Sequence, residues 1–213
     1  MEAGMSRKKT FIAALLILCF SVSSLSALDF TYDANLSKAS DITLGLTLIT
    51  PGILGLIAPP SDYIAIATSY AGTIAGAYGV RTILKQVIHK PRPYVGQIDN
   101  RPADTSEDYE SFPSGHSIMA FSAAAYAQAM QLLFYPDSTT MKAISATTWV
   151  LAATTATLRV VSGNHYLEDV LAGAAMGSAI GFLGPYITHQ LLKRDADAPT
   201  VLAGPVVGMQ VSF

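Results

Sequence analysis

The sequence predicts an all-α protein: an antiparallel bundle of five or six mostly membrane-spanning helices with a short C-terminal tail. Three observations carry this expectation. Of 213 residues, 51% are hydrophobic and only 13% charged, and the mean hydropathy is +0.39, too apolar for an ordinary soluble domain and far from a disordered composition. Apolar stretches recur at about 42–58, 63–84, 114–135, 143–158 and 170–192, several of them near the roughly 20 residues that cross a bilayer. Charges gather between these stretches. Residues 115–158 hold only Asp137 and Lys142, and 170–192 holds no Asp, Glu, Lys or Arg, which reads as antiparallel helices joined by short turns.

At the N-terminus, Arg7-Lys8-Lys9 precedes the apolar run Phe11 to Phe20 and the small-residue stretch Ser21 to Ala27. That is the layout of a secretory signal cleaved after Ala27, with an uncleaved first transmembrane helix as the alternative. Three segments are expected: 1–27 as signal or first span, 28–194 as the helical domain, and 195–213 as a tail. Pro51-Gly52 and Pro59-Pro60 interrupt the first stretch after residue 41, and Pro91 and Pro93 exclude helix soon after Lys85. Residues 86–112 form one long polar connection, acidic in its second half at Asp99, Asp104, Glu107, Asp108 and Glu110. A loop of that length in a helical bundle is more often functional than idle. The later helices are rich in small residues, as in Ala123-Ala124-Ala125 and Ala172-Gly173-Ala174-Ala175, which permits close helix-on-helix packing in lipid. In the tail, Val207, Met209, Val211 and Phe213 alternate with polar or small residues. This strand-like pattern fits a tail or an edge hairpin, because nothing upstream supplies the other strands of a barrel.

A net charge of −2 gives no whole-chain field for polyanions, so no nucleic-acid partner is expected and anion recognition must come from local cations. The single cysteine, Cys19, rules out a disulfide framework and a cysteine-based zinc site. Chemistry concentrates in three polar segments at helix ends: Lys85 to Pro93, Pro113-Ser114-Gly115-His116, and Arg159 to Asp169. If the helices alternate in direction, all three segments reach the same side of the membrane. Lys85, Arg92 and Arg159 then supply cations, while Ser114 and the amides opening a helix at Gly115 and His116 supply donors, together an oxyanion cradle. Taken singly, Lys85 or Arg159 is more commonly a snorkelling residue at a membrane edge.

His165 and Asp169, four positions apart, would share a helical face, where the carboxylate can fix one ring nitrogen and free the other. A neutral imidazole so oriented is a competent nucleophile toward phosphorus, passing through a phosphohistidine that water hydrolyses. His116, opening another helix, would act as general acid toward the leaving oxygen. The bland alternative for His165 and Asp169 is a capping or surface pair. A metal site of His116, His165 and Asp169 is disfavoured because three neighbouring cations repel a metal ion and welcome an anion.

These segments resemble the tripartite signature of the type-2 phosphatidic acid phosphatase superfamily: Lys-x6-Arg-Pro, then Pro-Ser-Gly-His, then Ser-Arg-x5-His-x3-Asp. Lys85, Arg92 and Pro93 fit the first block, Pro113 to His116 the second, and Arg159, His165 and Asp169 the third. The resemblance implies His165 as nucleophile, Asp169 as its partner, His116 as acid, and Lys85, Arg92, Ser114, Gly115 and Arg159 as phosphate ligands, with no metal and no cofactor. Leu158 departs from the pattern, standing where the family has Ser. The expected activity is removal of a terminal phosphate from a membrane lipid of phosphatidate, polyprenyl diphosphate or lipid A type. The partners expected are that lipid and the membrane, with the oligomeric state open. With Arg7-Lys8-Lys9 inside, the catalytic ends face away from the cytoplasm, on the periplasmic side of a bacterial inner membrane. Two alternatives remain: a soluble exported acid phosphatase acting on small esters, and a non-catalytic membrane protein that binds anionic headgroups. His89 and His189 receive no role, and Tyr94 is expected as an interfacial aromatic.

Overall fold

The computed structural model describes residues 31–54, 58–97 and 101–197. The expected signal or first span (1–27) and the strand-like tail lie outside the described residues. Among the described residues, five α-helices follow one another: α1 Ala34–Ile49, α2 Tyr63–Val87, α3 Gly115–Phe134, α4 Thr139–Val161 and α5 Leu167–Asp197. No strand occurs among the described residues. Short 3-10 turns at Thr50–Ile53 and Pro60–Asp62 join α1 to α2, where Pro51 and Pro60 remove helical donors. Among the described residues, three helices are long and apolar enough to cross a membrane: Gly115–Phe134, Thr139–Val161 and Leu167–Gln190.

Local chemistry sets the helix starts. The Asp33 carboxylate accepts from the Asn35 and Leu36 amides at 2.8 and 3.0 Å, Ser114 caps α3, and the Ser138 hydroxyl accepts from Met141 N at 3.2 Å, each meeting donors that a helix leaves unpaired. Hydropathy placed the first helix after Asp41, but α1 begins at Ala34. Ser40 is buried and Ser37 half-buried, both turned toward Arg159, while Asp41 is exposed and reaches His116, so an apolar window misses this start of the helix. In the same way α4 extends beyond 143–158 in both directions.

Helix α3 runs through the centre, with Ile118, Ala120, Ala123, Ala124 and Tyr126 fully buried. One apolar cluster gathers Leu54, Ile66, Tyr126, Met130, Met141 and Ile144, and the Tyr126 hydroxyl donates to the Ile66 carbonyl at 3.0 Å. The closest packing joins α3 to α5. A Cβ on Gly177 would lie 2.3 Å from the Ile118 carbonyl oxygen, and one on Gly181 would lie 2.2 Å from that of Ser122. The four-residue spacing of Gly173, Gly177 and Gly181 thus removes the side chains that would hold the two backbones apart. Leu171, Phe182, Leu183, Tyr186 and Ile187 point outward from α5 and are exposed, the outer surface expected of a helix that meets lipid. His189 stacks edge-on with Phe134 at 5.3 Å, at the end of the bundle away from the three polar segments. Tyr94 is buried, contrary to the interfacial expectation, and packs edge-to-face with Tyr32 at 5.5 Å.

Candidate active site

The starts of α1, α3 and α5 and the ends of α2 and α4 meet at one end of the bundle. Alternation of direction therefore brings the three polar segments together. The tightest turn is the one after α4. Gly163 adopts φ 67°, a left-handed conformation that glycine takes at little cost, and the Asn164 and His165 amides both donate to the Arg159 carbonyl at 3.2 and 3.1 Å. This folds the chain back and sets His165 in the turn before α5, not on the helix itself.

His165 is 2% exposed, and its Nδ1 lies 2.8 Å from the Ser111 carbonyl oxygen. A carbonyl only accepts, so Nδ1 carries the proton in that bond. Burial, followed by the positive charges of Arg92, Arg159, Lys85 and His116, holds the His165 pKa well below the usual imidazole range. The ring is therefore neutral, and its Nε2 keeps a lone pair. The pairing with Asp169 differs from the sequence expectation. Asp169 Oδ2 is 3.8 Å from Nδ1, beyond hydrogen-bond distance, because His165 precedes the helix and turns toward Ser111. The fully buried Asp169 instead accepts from Ser111 Oγ at 2.5 Å, Tyr166 N at 3.1 Å and Lys90 Nζ at 2.6 Å.

Two arginines converge on one carboxylate. Arg92, 3% exposed, donates from Nε to the Glu107 carbonyl at 2.9 Å, pairs through a terminal nitrogen with the Glu107 carboxylate, and reaches Asn164 Oδ1 at 3.3 Å. Arg81 stands 3.8 Å from the other Glu107 oxygen, and buried Lys85 pairs with Glu110 at 3.3 Å. Burial alone would raise the Glu107 pKa, but Arg92, Lys85, Arg81 and Arg159 outweigh it and hold the carboxyl below its ordinary range. Arg159 contacts Ser37 and Ser40 hydroxyls at 3.3 and 3.2 Å and has a buried Nε with no hydrogen-bond partner. A buried guanidinium with a donor left over is suited to an incoming anion.

Ser114 is fully buried, and its amide donates to the Asp169 carbonyl at 3.0 Å, tying the start of α3 to α5. Gly115 lies under Arg81; a Cβ there would sit 2.4 Å from Arg81 Nε. His116 Nε2 is 2.7 Å from Asp41 Oδ1, so α1 supplies a counter-ion to that ring. Leu158 brings no hydroxyl, but Ser37 and Ser40 of α1 bring two to Arg159. The sequence reading passed over Asp41, Arg81, Lys90, Ser111 and Asn164 as site residues, and noted Glu107 only as part of an acidic stretch. Lys90 and Asn164 lie inside the motif spacers, where a signal was present. Asp41 is 75 residues from His116 and carried none, and Ser111 stands just before the Pro-Ser-Gly-His block without belonging to it.

The architecture and the site together define a helical membrane protein with a group of buried cations beside a buried histidine at one end of its bundle. The sequence profile of the PAP2 superfamily matches residues 66–193, more than half of the chain, and the chain belongs to that superfamily. Over 95 residues it is 35% identical to a lipid A 1-phosphatase of Porphyromonas gingivalis, a stretch that makes up 45% of this chain and 19% of that protein. The chain thus spans about a fifth of that relative's length. Its fold matches the crystal structure of Aquifex aeolicus LpxE with a TM-score of 0.51 and 22% identity, covering 71% of this chain and 86% of that one. A transmembrane PAP2-type phosphatidylglycerolphosphate phosphatase from Bacillus subtilis aligns with a TM-score of 0.44 and 21% identity, over 83% of this chain and 96% of that one.

Proposed function

We propose that this protein is a metal-independent phosphohydrolase that removes a terminal phosphate from a membrane lipid through a phosphohistidine on His165. The observation that carries this reading is the gathering of buried Lys85, Arg92 and Arg159 at the end of the bundle that holds buried His165, with Arg92 reaching Asn164 beside it. A phosphoryl group carries the charge that such a cluster accepts, and phosphoryl transfer needs mainly positioning and charge neutralisation. In the proposed sequence, Nε2 of His165 attacks phosphorus, the bond from phosphorus to the ester oxygen breaks, and His116, with Asp41 as its counter-ion, gives that oxygen a proton. Water, giving a proton back to His116, then attacks phosphorus and the phosphorus–nitrogen bond breaks, releasing inorganic phosphate and restoring both histidines. Lys85, Arg92, Arg159, Ser114 and the Gly115 amide hold the phosphoryl oxygens.

A lipid substrate is supported by the placement of this site at the end of helices suited to a bilayer, and by the naming of a relative as a lipid A 1-phosphatase. With Arg7-Lys8-Lys9 retained inside, the site faces away from the cytoplasm, at the inner membrane if the source is a bacterium with two membranes. The test is turnover by detergent-purified protein, measured as phosphate release from phosphatidate, phosphatidylglycerophosphate, polyprenyl diphosphate and lipid A. Release from one of these in the presence of chelator, blocked by vanadate and abolished in His165→Ala, is expected. Undiminished release from that variant removes the nucleophile assignment.

A further inference from the structure

We propose that Ser111 and Lys90 are positioning residues for the attacking imidazole: Asp169 steers His165 through the Ser111 peptide, and Lys90 fixes Asp169 in place. This rests on the phosphohydrolase reading of the site, but concerns groups outside the signature residues. The direct route is absent, since Asp169 Oδ2 is 3.8 Å from His165 Nδ1. The indirect route consists of hydrogen bonds of ordinary or short length. His165 Nδ1 donates to the Ser111 carbonyl at 2.8 Å, and the hydroxyl of the same residue donates to Asp169 Oδ2 at 2.5 Å.

Ser111 is fully buried and all its polar groups are committed, because its amide also donates to the Lys90 carbonyl at 3.0 Å. Lys90 therefore touches the route twice. Its backbone holds the Ser111 peptide, and its ammonium donates to Asp169 Oδ1 at 2.6 Å and to Glu168 Oε1 at 2.8 Å. The Tyr166 ring, 4.5 Å from Nζ, covers this ammonium, which strengthens the pairing by keeping water away. A buried carboxylate left without a counter-ion is strongly unfavourable, and Lys90 is the counter-ion that Asp169 has at that position. The imidazole receives a neutral carbonyl as its partner, which fixes the Nδ1–H tautomer without a full negative charge in contact with the ring. Nε2 is thereby kept as the lone-pair nitrogen.

The test compares Ser111→Ala, Ser111→Thr, Asp169→Asn, Lys90→Met and Lys90→Arg in the full-length chain in detergent. Phosphate release is measured from the best substrate of the screen, and the His165 ring is followed by nitrogen-15 NMR. Ser111→Ala keeps the carbonyl and loses the strap to Asp169. It is expected to lower kcat roughly 10- to 100-fold, the scale of a sub-ångström to 1 Å misplacement, with KM changed less than about twofold. Combined with Asp169→Asn it should add little, since both remove one route. Lys90→Met should behave like Ser111→Ala, with Lys90→Arg and Ser111→Thr recovering most of the loss. The ring should change from a single Nδ1–H tautomer to a mixture in Ser111→Ala and Lys90→Met. A Ser111→Ala enzyme with wild-type kcat and an unchanged tautomer overturns the proposal, as does a multiplicative loss in the double variant. If Ser111→Ala does not fold, the Lys90 pair gives the same comparison. If the wild type turns over no phosphate ester, the phosphohydrolase reading fails, while the tautomer measurement still decides the positioning route.

Discussion

Replacing Gly177 by alanine tests whether backbone contact between α3 and α5 sets the geometry of the site. The added Cβ would lie 2.3 Å from the Ile118 carbonyl oxygen, 3.0 Å from its carbon and 3.1 Å from its Cα. Carbon–oxygen contacts settle at about 3.3–3.6 Å, so the helices must separate locally by roughly 1 Å, and no flexible side chain is available to yield instead. Overpacking costs about 1–3 kcal/mol, and a clash with backbone that cannot yield lies in the upper part of that range, about 2–3 kcal/mol. The better helix propensity of alanine returns about 1 kcal/mol, leaving a net loss of about 1–2 kcal/mol. For a chain of this size that is a fall in Tm of about 2–8 °C. The same separation strains the Ser114 amide bond to the Asp169 carbonyl, 3.0 Å long, so phosphate release should fall about tenfold or more. Thermal unfolding in detergent and turnover are compared with Gly72→Ala, a helical glycine whose added Cβ meets nothing within 4 Å. Gly72→Ala should match or exceed the wild-type Tm. Equal Tm and activity for the two variants would refute the claim that this contact governs the site.

Glu107 occupies cations that a phosphoryl group would use, so Glu107→Gln should tighten inhibition by orthovanadate roughly three- to tenfold, the effect of removing one competing, partly exposed charge; weaker inhibition would show that Glu107 assists anion binding. The depressed His165 pKa also makes stability depend on pH. The unfolded chain takes up a proton near pH 6.5 while the folded chain does not, so stability falls as pH drops below about 6.5 and is fully present above it. The slope approaches about 1.4 kcal/mol per pH unit until the folded pKa is reached. Denaturant titrations between pH 7.5 and 5 should show this slope in the wild type and a shallower one in His165→Asn; identical slopes would remove the buried neutral histidine from the account.

The signature residues announced the chemistry because their types and spacings encode it: two arginines and a lysine for an anion, and two histidines at helix ends. Helix number, alternation and outward-facing apolar surface were equally legible, since they follow from hydropathy and from the small-residue spacing of α5. What the sequence misjudged came from treating polarity as a sign of exposure. Ser37 and Ser40 on α1 turn their hydroxyls to buried Arg159, and the exposed Asp41 reaches His116 from the same helix. Tyr94 is likewise buried rather than interfacial.

The linear sequence determined which groups take part, because charge, donor number and helix-end position belong to each residue and its near neighbours. Only the tertiary structure decided which groups touch. Four-residue spacing promised a direct bond between His165 and Asp169, but the left-handed turn at Gly163 places the histidine before the helix and hands its Nδ1 to Ser111. Glu107 and Asp41 reached their partners across gaps of 15 and 75 residues. Contacts of that span arise from how helices cross and loops fold back, and no local periodicity records them.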